Sequence, residues 1–173
     1  MGRYDTVAWQ RIHALCCYYG VKENDIKKKA KKILALYTNL ILFVPADDIS
    51  NSNSDLPVKT QLKALEALET ISPEQSDADV LTSLRGRIDE LWFHRLVEDA
   101  IVKLTEFPEG DLYTSILNKC YLTKWTWDED ELAENLGIER SRIYDRKRES
   151  VIIFGLCFWY FAIPRKRLKL TDN

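Results

Sequence analysis

The feature that most constrains the fold of this chain is its longest apolar run, which spans 151–163 near the C-terminal end. The run is thirteen residues long, whereas a membrane-spanning helix needs about 18 or more apolar residues. It also contains Trp159 and Tyr160. We therefore predict a helix buried in a protein core rather than a membrane span, and no membrane partner.

The composition and the spacing of apolar residues favour an all-α protein. Hydrophobic residues make up 46% and charged residues 30% of the 173 positions, which is typical of a globular chain. Only six glycines and five prolines interrupt it, and apolar residues recur at helical spacing without the alternation typical of strands. We expect a helical N-terminal part, 1–106, that serves oligomerisation or partner binding, followed by a C-terminal domain, 107–173.

Several helices and one linker can be assigned before the C-terminal domain. The predicted helices are Asp5–Tyr19 with Asp5 as N-cap, Asn24 or Asp25 to about Phe43, Lys59–Ile71, Asp77 to about Thr105, and one capped by Asp111 that opens the C-terminal domain. The polar segment 45–57 lacks an apolar period and predicts a linker. The stripe of helix 77–105 could form a dimer seam, but its heptads are not strict, which favours an ordinary core helix.

The C-terminal domain also contains a short predicted helix that is followed closely by a charged helix. Asp128 and Glu131 have capping-box spacing at the start of the short helix, with Thr126 and Glu129 as a rival register. Gly137 stands where a left-handed residue is needed after a helix. A capped helix, a Gly-Ile turn and a charged helix together are the sequence form of a helix-turn-helix.

The charged helix, which begins near Glu139, carries the predicted DNA-reading surface. Positions i, i+1, i+4, i+5 and i+8 share one outward face. That face comprises Arg140, Ser141, Tyr144, Asp145 and Arg148, and it is flanked by Arg142, Arg146 and Lys147. Arginine can pair with guanine and the flanking cations can hold phosphates. A solvated charged helix end is the alternative; because a capped turn precedes this helix, we predict that it binds double-stranded DNA.

Charge is strongly segregated along the chain, although the net charge is only −2. The segments 1–45 and 137–173 each carry +5, and 46–136 carries −12. Two basic ends predict local binding to a polyanion. Further candidate phosphate contacts are Lys28 and Lys31 in the Lys27–Lys32 cluster, and Arg165, Lys166 and Arg167 in the C-terminal tail. For both groups a solvated surface is the alternative.

The segment 117–155, LNKCYLTKWTWDEDELAENLGIERSRIYDRKRESVIIFG, resembles region 4 of bacterial sigma factors. It is more similar to the ArpU-type and RinA-type late transcription regulators of phages and prophages. The resemblance implies a sigma-4-like helix-turn-helix that activates late genes for packaging, structure or lysis, with RNA polymerase as a further partner in the bacterial cytoplasm. Arg146 and Lys147 depart from the sigma pattern, which predicts a helix that is rotated or less tightly wrapped.

No feature of the sequence predicts an enzyme, a cofactor or a metal. The motifs of nucleotide-binding loops, serine hydrolases and zinc proteases do not occur. His13, Cys16 and Cys17 occupy neighbouring helical positions, but a zinc site would need a second ligand cluster. The four cysteines form no CxxC pair, and free thiols are typical of a reducing cytoplasm.

Self-association is expected from the binding mode and from two aromatic residues. Helix-turn-helix proteins commonly bind paired half-sites as dimers. Trp159 and Tyr160 fall off the predicted buried stripe, so a homodimer that covers at least one of them is predicted. Two alternatives remain: a sigma-4-like protein that binds RNA polymerase or a repressor without contacting DNA, and a DNA-packaging subunit similar to a small terminase.

Overall fold

The computed structural model describes residues 6–42 and 56–172, and every regular element in these ranges is helical, which confirms the all-α class. In chain order the helices are α1 (Val7–Tyr19), α2 (Glu23–Tyr37), α3 (Val58–Glu69), α4 (Asp77–Leu84), α5 (Glu90–Thr105), α6 (Gly110–Cys120), α7 (Glu129–Leu136), α8 (Arg140–Cys157) and α9 (Ile163–Thr171). The π-helical segments Thr38–Leu42 and Phe158–Ala162 extend α2 and α8. Nearly all of the predicted linker, like Phe43, lies outside the described residues.

The first two helices begin close to their predicted starts, but the residues at which they begin differ from the predicted ones. Thr6 caps α1 because its hydroxyl accepts a hydrogen bond from the Trp9 backbone N–H at 3.1 Å. The predicted cap, Asp5, lies outside the described residues. Helix α2 begins at Glu23, one or two residues earlier than predicted, and the residue before it makes no side-chain cap bond.

The predicted continuous helix 77–105 is wrong, because a turn separates α4 from α5. Gly86 in this turn has a φ of 80°. Asp89 then caps α5 by accepting a hydrogen bond from the Trp92 backbone N–H at 2.9 Å. Ile88 is buried within the turn. The apolar spacing therefore continues through the break, and spacing alone could not reveal it.

Helix α6 begins at Gly110 rather than after a cap at Asp111, so that predicted cap is also wrong. The preceding Glu109 has a φ of 63° and makes no side-chain cap bond. A Cβ atom on Gly110 would lie 2.5 Å from the carbonyl oxygen of Leu104. Glycine is therefore required for the chain to turn back this closely onto the end of α5.

The continuous helical run 140–171, formed by α8, its π-helical extension and α9, lies at the centre of the fold. Helices α1, α2, α5, α6 and α7 pack against α8, and α3 packs against α9. Every residue of Glu149–Cys157 is buried. A Cβ atom on Gly155 would lie 2.8 Å from Cγ2 of Ile26 and 3.1 Å from Cβ of Ala30, so glycine permits the close approach of α2. The main core therefore takes residues from both predicted parts of the chain.

Trp159 is buried within the chain, and the expectation that it is exposed in a monomer is wrong. Its side chain is 7% exposed, and its indole N–H donates a hydrogen bond to the carbonyl of Leu68 at 3.2 Å. The Lys29 ammonium lies 4.6 Å from the ring centroid, and burial lowers the pKa of this lysine. Tyr160 is half-buried and stacks on Tyr19, with centroids 4.2 Å apart. Trp159 therefore does not supply the predicted dimer surface, and Tyr160 is partly covered by Tyr19 of the same chain.

Within the described ranges, no helix combines the length and the apolar character that crossing a bilayer would need. All four cysteines are free thiols; Cys16, Cys120 and Cys157 are buried and Cys17 is exposed. Burial raises the pKa of Cys16 and of Cys157 to about 12. These two thiols are therefore packing residues, because the thiolate is the reactive form.

Candidate nucleic-acid interface

The start of α8 is held by a small apolar core between three helices. The buried side chains of this core come from α6, α7 and the first turn of α8, and they are Ile116, Cys120, Leu132, Ala133 and Ile143. Leu112, Leu136 and Ile138 pack around them. A cluster of this kind fixes the direction in which the first two turns of α8 leave the turn at 137–139.

The predicted capping box and the predicted glycine turn are both confirmed. The Asp128 carboxylate accepts the Glu131 backbone N–H at 2.8 Å, and the Glu131 carboxylate accepts the Asp128 backbone N–H at 3.2 Å. The rival register is therefore wrong. Gly137 has a φ of 64°, and the N–H of Ile138 donates to the carbonyl of Ala133 at 3.1 Å. Three residues thus separate α7 from α8.

Three of the predicted reading residues and one flanking cation are exposed together at the start of α8, and we call them the reader patch: Arg140, Ser141, Tyr144 and the flanking Arg142. The Tyr144 side chain is 56% exposed. Asp145 and Lys147 are half-buried at the edge of this patch. The patch offers guanidinium, hydroxyl and aromatic groups, which are suited to base edges, phosphates and apolar contact.

Acidic residues of α7 face the cations of α8. The Nε of Arg140 lies 2.9 Å from a carboxylate oxygen of Asp130, and the Lys147 ammonium lies 4.0 Å from the carboxylate of Glu129. Both side chains of the Arg140 pair are about 70% exposed. Exposed pairs of this kind contribute about 0–1 kcal/mol. Arg140 can therefore leave Asp130 for a stronger acceptor at little cost.

Arg148 does not lie on the outward face where the helical spacing placed it. Its guanidinium lies 4.9 Å from the Trp9 ring centroid, and its Nε is buried without a hydrogen-bond partner. It lines a depression that also includes His13 and Glu23. Helix α1 covers this side of α8, and a tertiary contact of that kind has no signature in the spacing of α8 itself.

A buried carboxylate behind the reader patch was missed by the sequence analysis. Glu149 is 3% exposed and accepts hydrogen bonds from the Tyr113 hydroxyl at 2.9 Å and from Nη1 of Arg146 at 2.8 Å. Burial, followed by the charge of Glu149, raises the pKa of Tyr113. Burial lowers the pKa of Arg146, but the hydrogen bond to Glu149 and the negative charges of Glu149 and Glu109 together leave this pKa above its usual value. Arg146 is therefore paired along α8 with Glu149, and the Tyr113 hydroxyl links the same carboxylate to α6.

The other predicted phosphate contacts lie away from the reader patch. Lys31 is exposed and Lys28 is half-buried on α2, which crosses α8 near Gly155. Gly155 follows Arg140 by fifteen positions, roughly 22 Å along a helix. In α9, Arg165 is exposed, Lys166 is half-buried, and Arg167 pairs with Glu69. At about 1.5 Å per residue, α9 ends roughly 46 Å along the helical run from Arg140.

The second feature that the sequence analysis missed is an exposed pair of tryptophans before α7. The Trp125 side chain is 84% exposed and that of Trp127 is 37% exposed. They line an open depression with Thr126, Glu131, Glu134 and Asn135. The Lys119 ammonium lies 5.2 Å from the Trp127 ring centroid. The sequence signal for this feature was the occurrence of two tryptophans, separated by one residue, in a segment without an apolar period.

His13 of α1 lies between the exposed thiol of Cys17 and the carboxylate of Glu23, the first residue of α2. Its Nδ1 lies 2.6 Å from Oε1 of Glu23, and its Nε2 lies 3.6 Å from Sγ of Cys17. Burial raises the pKa of Glu23, but the hydrogen bond with His13, a backbone hydrogen bond and the charges of His13 and Arg148 together leave this pKa below its usual value. Across 6–42 and 56–172, no group of three or more His, Cys, Asp or Glu side chains is arranged to hold a metal ion.

No protein-family model, no curated protein and no solved structure matches this chain. The resemblance to sigma region 4 and to the late regulators therefore stays a prediction that depends on the residues of 117–155.

Proposed function

We propose that this chain is a sequence-specific DNA-binding transcription regulator that places the start of α8 in the major groove. The observation that supports it is the reader patch, exposed directly after a three-residue turn and backed by the core of α6 and α7. A helix is about 10–12 Å wide and the major groove is about 12 Å wide. The first two turns of α8 are thus shaped to enter it.

Each residue of the reader patch has a distinct proposed role. Arg140 exchanges its exposed pair with Asp130 for a guanine edge, because a bidentate base contact discriminates by about 1–3 kcal/mol. Ser141 and Tyr144 contact neighbouring base edges or the thymine methyl group. Arg142 and Lys147 hold phosphates and set the register. Arg148, Arg146 and the α9 cations are not assigned to DNA in this proposal.

The resemblance extends the proposal to a biological role. We propose that the protein activates late genes of a phage or prophage in the bacterial cytoplasm and that RNA polymerase is its second partner. An alternative is supported by the acidic character of α7, where Asp128, Glu129, Asp130, Glu131 and Glu134 repel phosphate. On that alternative, the domain binds a protein such as RNA polymerase and does not touch DNA.

Selection of bound duplexes from a random pool, followed by affinity measurement on the selected site, tests the proposal. Arg140→Ala should lower the affinity for that site by about 1–3 kcal/mol, roughly five- to 150-fold. Arg87→Ala, which removes an exposed arginine between α4 and α5, is the matched control and should bind normally. If no sequence is enriched, or if both variants bind like the unmodified protein, DNA reading by α8 is ruled out and the protein-binding alternative gains support.

A further inference from the structure

The depression around Trp125 and Trp127 combines apolar rings with negative charge, and we call it the aromatic–acidic groove. Its lining residues are Trp125, Thr126, Trp127, Glu131, Glu134 and Asn135. Trp125 is the most exposed large hydrophobic side chain among residues 6–42 and 56–172. Large rings exposed beside a polar rim are typical of a contact surface. The segment 119–136 has two lysines and five acidic residues, so the occupant should carry positive charge.

The other end of the 140–171 run carries a surface of complementary character. Helix α9 has four cations and no acidic residue in the range 163–171. Arg165, Leu168 and Lys169 lie at i, i+3 and i+4 and therefore share one face, and all three are exposed. The Leu168 side chain is 60% exposed. We call these three residues the basic tail face.

The chemistry of the two surfaces matches group by group. Arginine and lysine bind over the faces of tryptophan rings and beside carboxylates. The Lys119 ammonium, 5.2 Å from the Trp127 centroid, is an example within the same chain. Leu168 can cover the exposed Trp125 ring, while Arg165 and Lys169 approach Glu131 and Glu134.

The two surfaces lie towards opposite ends of the helical run 140–171. The groove adjoins α7, which packs on the first turns of α8, and the basic tail face lies in α9. The 140–171 run is roughly 46 Å long when measured along the helix at about 1.5 Å per residue. We propose that the basic tail face of one chain docks in the aromatic–acidic groove of a second copy, so that the chains associate head to tail.

A head-to-tail contact has consequences that a symmetric dimer does not have. The two partners use different surfaces, so a pair of chains keeps one unused groove and one unused tail, and growth continues until a ring closes. Because charged pairs contribute, association should weaken as salt rises. This inference does not depend on DNA binding, and it is tested without DNA.

The test is the mass of the full chain in solution, measured by light scattering or sedimentation over a range of concentrations. The unmodified protein should form species larger than a monomer at low salt, and added NaCl should shift them towards monomer. Trp125→Ser, and separately the double variant Arg165→Glu with Lys169→Glu, should each be monomeric. Tyr18→Ser, which removes a ring that is 81% exposed on α1, is the matched control and should associate normally. Circular dichroism establishes that each variant is folded.

Mixing the two monomeric variants separates this proposal from other contacts. The tail of Trp125→Ser is intact, and the groove of the double tail variant is intact, so a 1:1 mixture should give a dimer that cannot grow further. Three results would each overturn the proposal: an unmodified protein that stays monomeric, a mixture that stays monomeric, or loss of association in Trp125→Ser alone. The last result would indicate a symmetric contact between tryptophans.

Discussion

The carboxylate of Asp130 lies 2.9 Å from the Nε of Arg140, so the first cation of α8 is paired across the turn with an acidic residue of α7. Any DNA phosphate or base that approaches Arg140 must compete with this carboxylate. The pair is exposed, and its contribution to the free energy of folding is correspondingly small.

Asp130→Asn should therefore strengthen DNA binding if the proposed function is right. It releases Arg140 and removes one negative charge, for an expected gain of about 0.3–1 kcal/mol, or up to roughly fivefold in affinity at low salt. Asp77→Asn makes the same change in the first turn of α4 and should leave affinity unchanged. Titration of a labelled duplex measures both. A fall in affinity for Asp130→Asn would mean that the pair positions Arg140 for DNA.

Arg148→Ala should act on stability rather than on DNA recognition. The change removes the guanidinium over Trp9 and its partly buried stem, at a cost of about 1–2 kcal/mol in the free energy of unfolding. Arg142→Ala should lower the DNA affinity and leave the free energy of unfolding nearly unchanged, because Arg142 is exposed in the reader patch. Urea unfolding and DNA titration, applied to both variants, distinguish the two effects. If stability is unchanged and DNA binding is lost, Arg148 contacts DNA and this prediction is wrong.

Gly155→Ala should destabilise the fold although alanine is the better helix former by about 1 kcal/mol. The new methyl group would meet Cγ2 of Ile26 at 2.8 Å, and relieving this contact by moving α2 costs about 1–3 kcal/mol. Denaturant unfolding with a two-state fit gives the net effect. A variant more stable than the unmodified protein would show that α2 and α8 separate readily.

The hydrogen bond between His13 and Glu23 should make stability depend on pH in the acidic range. The pKa of Glu23 is below its usual 4.5 in the folded chain, so its charge stabilises the fold above the unfolded pKa. This contribution is lost as pH falls through the lowered folded value. Glu23→Gln should therefore be less stable than the unmodified protein near pH 6 and equal to it at strongly acidic pH. A stability difference that is constant with pH would contradict this role.

Features that are decided by contacts between residues close in sequence could be predicted, and features decided by contacts between distant helices could not. The capping box of Asp128 and Glu131 and the left-handed Gly137 are decided within a few residues, and both were predicted correctly. The face of α8 was predicted correctly for Arg140, where solvent lies on one side. It was wrong for Arg148, because helices cover α8 on several sides there. A helix surrounded in this way has no polar stripe to orient it, and the same reason explains why Trp159 was placed wrongly.

The continuity of the 140–171 run has a mechanical consequence. The reader patch and the buried residues 149–157 belong to one unbroken helical run, and α2, α3 and α5 pack along its far half. A tilt of this run among those helices would displace Arg140 together with the small core of α6 and α7 that holds the start of α8. Docking of a second chain at α9 and DNA recognition at α8 would then be coupled by movement of the whole helical run rather than by a chain of side-chain contacts.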